Sequence, residues 1–227
     1  MNHAKHIFPF LVPTLVLALI LAVALLIVPK AELHLALCQP HTPFLDTIIP
    51  FFTNLVDWLP YLIVVLLLFY RAGWSTFLAS NLLLSTLIVQ PIKHIVHAPR
   101  PITWFADNMP DVTLPLVEGV RMNHWLSFPS GHTGTAFLGA ELVRKEYGWG
   151  WGSAAYAVAS TTAVLRMYNN EHWLSDVIAG AGLGILCANV GTWLRDPVTD
   201  LLCLDTWLRP VFDPISGLLC AQVGVNF

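Results

Sequence analysis

Apolar runs about as long as a bilayer is thick recur along this chain, and they limit what it can fold into. Residues 7–28, 58–70 (with a turn or two ahead of it), 75–93, 130–145, 151–165 and 172–194 each form a largely apolar segment. A helix of about 20 apolar residues crosses a hydrocarbon core. Only 11% of the residues are charged, against roughly 25% in soluble domains, too few to cover a water-facing surface. These runs predict an all-α, polytopic membrane protein. We read it as a six-transmembrane-helix bundle in one domain, 1–227, with its core at about 40–195.

The connecting segments are distinct from the runs. In the connection after the first span, Phe44, Leu45, Ile48, Ile49, Phe51, Phe52, Leu55 and Val56 form a helical stripe beside Asp46, Thr53, Asn54 and Asp57. That pattern predicts an interfacial helix before the second span, lying in the membrane interface or packed on the bundle mouth. Arg71 to Trp74 reads as a tight turn, and Pro91 should kink or stop the third span. The proline-rich stretch 94–128 is the longest predicted loop, and a loop of that length in a compact protein is usually functional. The tail 196–227, broken by Pro197, Pro210 and Pro214, reads as cytoplasmic or interfacial.

Basic residues set the orientation. Lys5, Arg71, Arg144, Lys145, Arg195 and Arg209 fall on one side of the six spans, and Lys30 and Arg121 on the other. This count leaves aside Lys93, Arg100 and Arg166, and it places both termini in the cytoplasm of a bacterial inner membrane. Trp58, Trp74, Trp149, Trp151, Trp173 and Trp193 lie at span ends, where an aromatic belt belongs. Cys38, Cys187, Cys203 and Cys220 have no metal-ligand spacing. The N-terminal run is too long for a signal-peptide core and lacks a cleavage site.

Three polar clusters then share the outer face. In Arg166-Met-Tyr-Asn-Asn-Glu-His172-Trp-Leu-Ser-Asp176, the two Asn can cap a helix start, leaving His172 and Asp176 four apart on one face. A carboxylate so placed can fix the imidazole tautomer and leave the other nitrogen as base or nucleophile. The plainer alternative is an interfacial His with a helix-capping Asp. Lys93 and Arg100, seven apart among Pro91, Pro99 and Pro101, can converge on one anion or else snorkel as ordinary interfacial cations. Arg100, between two prolines, cannot snorkel from a regular helix. The His94/His97 pair is a weak signal for metal. In Pro129-Ser-Gly-His132, Ser130 can cap a helix whose first N–H groups bind an anion, with Gly131 allowing close approach, or the His can be incidental.

Together, Lys93, Arg100 and Arg166 form an electrostatic cage beside two imidazoles, an arrangement suited to phosphoryl transfer without a metal. His172 would attack phosphorus, and His132 would protonate the departing alcohol and then activate water.

These motifs resemble the type 2 phosphatidic acid phosphatases, which share their active site with vanadium haloperoxidases. The family reads Lys-x6-Arg-Pro, Pro-Ser-Gly-His and Ser-Arg-x5-His-x3-Asp. Here it is met by Lys93, Arg100 and Pro101, by Pro129 to His132, and by Arg166, His172 and Asp176, with Val177 and Gly180 continuing it. The piece from Phe44 and Asp46 through Thr53 to Trp58 is also similar. Leu165 departs from the family Ser, which helps orient the phosphate-binding side.

The resemblance implies a membrane lipid phosphatase with no cofactor. It assigns phosphate binding to Lys93, Arg100, Ser130, Gly131 and Arg166, acid–base work to His132, the nucleophile to His172 and its orientation to Asp176. Its expected partners are a lipid phosphate and the bilayer, not nucleic acid. The expected substrate is phosphatidate, phosphatidylglycerol phosphate, undecaprenyl pyrophosphate or a lipid A phosphate. A phosphotransferase on the same lipids and a catalytically silent lipid-binding or transport protein are the alternatives.

Overall fold

A computed structural model describes residues 27–38, 41–70, 72–120, 122–202, 206–212 and 219–225. The first predicted span, 7–28, lies almost wholly outside the described residues. The elements are α1 (Lys30–Cys38), α2 (Pro43–Tyr70), α3 (Ala72–Val96), α4 (Pro101–Asn108), α5 (Gly131–Tyr168), α6 (Leu174–Leu202), β1 (Thr206–Phe212) and β2 (Leu219–Val225). Among them, Pro43–Leu67, Ser75–Asn108 and Leu174–Leu194 are long and apolar enough to cross a membrane. The chain is a membrane protein with a helical core.

Glycine governs how α5 folds and packs. At Gly148 the backbone turns through φ 80°, ψ −173°, a conformation open to a residue without Cβ. The limbs 131–147 and 149–168 therefore form an antiparallel hairpin. They follow the stretches read as the fourth and fifth spans. At the tip of the hairpin, a Cβ on Gly152 would stand 2.7 Å from that of Arg144. Across the interface with α6, a Cβ on Gly180 would collide with the Ser130 carbonyl oxygen, and one on Gly184 with that of Gly134. Small residues four apart let two helix backbones touch, which is how helices associate without a hydrophobic drive. That contact sets Ser130 against the first turns of α6. Below it, Leu138, Leu142, Cys187 and Ala188 form an apolar core with Phe77, Leu78, Leu82 and Ile88 of α3.

Four expectations change. The stretch read as a separate interfacial helix is the first half of α2, which runs unbroken for 28 residues with Pro50 and Pro60 inside it. Each proline removes one ladder bond, and the apolar sequence on both sides carries the helix through. The separate short helix is α1. α3 likewise passes Pro91 and ends at Val96, so Lys93 lies in its last turn. The predicted loop contains α4, which starts with Arg100 in extended conformation and Pro101 in the first helical turn, where a missing N–H costs nothing. Beyond α6, β1 and β2 pair antiparallel from Thr206 opposite Val225 to Phe212 opposite Leu219, an addition to the expected all-α chain.

Candidate active site

The turn between α5 and α6 is held from every side. Asn169 ends α5, its Nδ2 donating to Thr53 Oγ1 at 3.1 Å. Asn170 takes a left-handed φ of 55°, which Asn tolerates better than most residues. It donates to the Pro115 carbonyl at 2.7 Å and pairs with His34 Nε2 of α1 at 2.9 Å. The two asparagines thus close α5 and bolt down the turn, where the sequence had them start the next helix. Trp173 is buried among Phe105, Trp104 and His34, with Lys30 Nζ 4.0 Å from its ring centroid. Its indole N–H donates to the Pro99 carbonyl at 3.1 Å. Asp46 of α2 accepts from the Tyr168 hydroxyl at 2.7 Å and pairs with His41 at 2.8 Å. Asp46 and Thr53, polar positions in an apolar stripe, fasten α2 to this turn.

His172 sits in that turn, ahead of α6, 1% exposed. It therefore does not share a helical face with Asp176. Its Nδ1 stands 3.8 Å from Asp176 Oδ2, beyond hydrogen-bonding distance. Asp176 Oδ2 instead accepts from Ser127 Oγ at 2.5 Å and from the Trp173 backbone N–H at 2.9 Å. A carboxylate in the first turn reaching back to the preceding backbone N–H is half of a capping box. The helix-capping alternative for Asp176 is thus visible alongside its nearness to the imidazole. Burial, opposed by Asp176 and reinforced by Arg100, Arg166 and Lys93, pushes the pKa of His172 down to about 4. That keeps the imidazole neutral, the form a nucleophile needs.

The cations come from three elements. Lys93 is buried and its Nζ donates to the Leu126 carbonyl at 2.6 Å. Arg100, also buried, donates from Nε to the Trp125 carbonyl at 3.3 Å, and its backbone N–H donates to the His124 carbonyl at 2.9 Å. Arg166 comes from the last turn of α5. Glu171 joins the two arginines: its Oε1 accepts from Arg100 Nη1 at 3.2 Å and from Arg166 Nη2 at 2.8 Å. The 122–130 segment thus hangs on Lys93 and Arg100, and it delivers Ser130 and His132.

A cavity of about 540 Å³ gathers Lys93, Arg100, Gly131, His132 and His172 on its wall. It continues along α3 past Val89, Thr86 and Ser85 to Tyr61 of α2, that is, along stretches long and apolar enough to cross a membrane. Ser130, Arg166 and Asp176 stand behind this wall. The Ser130 hydroxyl pairs with Thr133 Oγ1 at 3.0 Å, and its backbone N–H donates to the Asp176 carbonyl at 2.9 Å. At Gly131 a Cβ would meet only Val89 and Lys93, at 3.9 and 4.0 Å, so the protein's own packing does not demand glycine there. Leu165, in place of the family Ser, packs against Ile49, Val117 and Tyr168. Among the described residues no group of three or more His, Cys, Asp or Glu is arranged to hold a metal.

Sequence reasoning missed Glu171 and Ser127. Glu171 had one signal, an acidic residue beside the key His in a chain poor in charge. Ser127 had none, because its partner is 49 positions away.

Comparison with known proteins bears on this geometry. The sequence profile of the PAP2 superfamily matches residues 74–200. A Porphyromonas gingivalis protein named lipid A 1-phosphatase is 50% identical over 74 residues, which are 31% of this chain and 16% of that protein. This chain therefore aligns with about a sixth of that relative's length. The crystal structure of Aquifex aeolicus LpxE superposes with a TM-score of 0.62 at 26% identity, covering 71% of this chain and 93% of that one. The transmembrane PAP2-type phosphatidylglycerolphosphate phosphatase of Bacillus subtilis superposes at 0.60 with 20% identity, over 82% and 96% of the two chains, a likeness of fold.

Proposed function

Because the chain belongs to the PAP2 superfamily, we propose that it is a membrane lipid phosphatase working through a phosphohistidine. The observation that carries this reading is the shape of the cavity. Two imidazoles and two cations stand at one end, and at the other it runs along membrane-crossing stretches of α2 and α3. A lipid phosphate fits such a space with its phosphate among the cations and its tail in hydrocarbon.

In this mechanism Lys93 and Arg100, with Arg166 behind them and the Gly131 N–H at the start of α5, neutralise the phosphoryl oxygens. Neutral His172 attacks phosphorus through Nε2 as the bond to the leaving oxygen breaks. His132 gives its proton to that oxygen, forming the alcohol. His132 then takes a proton from water, whose oxygen attacks the phosphohistidine, releasing inorganic phosphate and restoring His172. Asp176, 3.8 Å from Nδ1, steadies the imidazolium character that develops on the ring. Fixed cations do the work of charge stabilisation here, and no metal is required.

The six-span bundle, with both termini cytoplasmic and the site at the outer face of a bacterial inner membrane, is part of the same reading. It rests on the six-to-two Lys/Arg division. Among the four candidate lipids we place a lipid A phosphate first, because the relative that is half identical over 74 residues carries that activity in its name. The test is phosphate release by purified protein in detergent over those four lipids and a water-soluble monoester. Preference for a lipid is expected, since tail binding holds the headgroup for reaction. A soluble monoester hydrolysed as fast as every lipid would overturn the reading.

A further inference from the structure

The strongest unassigned feature of the molecule is the carboxylate between the two arginines. Glu171 is adjacent to the nucleophile candidate, its side chain 3% exposed, and one oxygen receives a guanidinium from Arg166, five residues back, and another from Arg100, 71 positions away. Two converging Arg donors on one oxygen reproduce what a phosphoryl oxygen would be offered at this place. The other charged groups facing the cage, Lys93 and Asp176, are otherwise engaged. Lys93 donates to the Leu126 carbonyl, and Asp176 is taken by Ser127 and the Trp173 N–H. The backbone fixes Glu171 as well, its N–H donating to the Arg166 carbonyl at 3.1 Å. Three cations (Lys93, Arg100, Arg166) face two carboxylates (Glu171, Asp176), leaving one positive charge in excess. With Glu171 neutral the excess would be two.

We propose that Glu171 is a resident counter-ion that competes with phosphate for Arg100 and Arg166, and so sets how tightly the site holds substrate and lets product go. The proposal rests on the phosphate-cage reading above. Between turnovers Glu171 holds together the Arg100 guanidinium on the cavity wall and that of Arg166 behind it, where burying both without an anion would be costly. During turnover it must share those donors with the phosphoryl oxygens, which weakens binding of every phosphate form, inorganic phosphate included. Fast release of product is the gain.

The experiment compares wild type, Glu171→Gln and Glu171→Ser for inhibition by vanadate and by inorganic phosphate, with KM and kcat measured on the lipid the wild type prefers. Removing one negative charge a few ångströms from the bound anion should lower both inhibition constants at least about tenfold. KM should fall with them, and kcat should drop as phosphate leaves more slowly. A merely damaged site would bind anions more weakly, so tighter binding separates the two cases. Thermal melting identifies which variants are folded. Either neutral variant, folded but no more sensitive to vanadate than wild type, overturns the proposal. A wild type that neither releases phosphate nor responds to vanadate would overturn the phosphatase reading instead, and this inference with it.

Discussion

The α5–α6 pair carries a buried carboxylate–arginine cluster near each end, and the two are built differently. At the Gly148 end of the hairpin, Glu141 is 1% exposed and receives Arg144 through two hydrogen bonds, at 2.6 and 2.7 Å. The Tyr156 hydroxyl at 2.7 Å and Asn189 Nδ2 at 3.2 Å complete its shell. Its arginine is three residues away on the same helix, and Glu141 does not line the 540 Å³ cavity. At the other end Glu171 is shared by two arginines from different elements, with Lys93 nearby and a cavity alongside. A buried carboxylate matched by its own arginine and capped by neutral donors is a joint between helices. Cations from separate elements gathered beside a cavity are what an anion site would need. Burial looks alike in the two places; the origin of the arginines and the adjoining cavity differ.

That contrast can be broken by substitution. The largest effect is expected at the cavity end, where His172→Ala should cut phosphate release by more than about a thousandfold with melting behaviour little changed. Acid quench of the wild type should trap phosphate on histidine, whereas substantial turnover by the variant would remove His172 from the role. At the hairpin end, Glu141→Gln should instead cost about 1–3 kcal/mol of stability, because buried donors lose their charged partner. Its activity per folded molecule should match wild type. A variant that melts normally but has lost activity would erase the distinction between the two clusters. The smallest effect sharpens the same comparison: excess chelator should leave activity unchanged, since the cavity end holds cations of its own. Loss on chelation, recovered with one added metal, would move the chemistry to another class.

Much of this was legible in the sequence because it depends on short-range pattern. Lys93 and Arg100 flank one helix end, Ser130 and His132 open another, and Arg166 and His172 flank a turn, so each motif shows within a few residues. The shared face followed from counting Lys and Arg in the loops. The same local reading misplaced what neighbours could not decide. It put His172 and Asp176 on one helix, whereas α6 begins at Leu174 and Asp176 caps it. It divided α2 near Trp58, whereas the helix runs through, and two polar positions of its first half are docking points: Asp46 meets Tyr168, and Thr53 meets Asn169.

By itself the sequence determined that this chain lives in a membrane as helices, and it singled out the cations and imidazoles that gather around the cavity. Apolar length and helical spacing are local properties, and hydrocarbon leaves the backbone few other forms. The tertiary structure decided the pairing of the buried charges. Arg100 finds Glu171 across 71 positions, Lys93 finds the Leu126 carbonyl across 33, and Ser127 finds Asp176 across 49. The last of these pairs lies across the close approach that Gly180 and Gly184 allow between α6 and the Ser130–Gly134 turn. A buried charge must be satisfied by whatever the fold brings within about 3 Å, and spacing along the chain does not contain that distance.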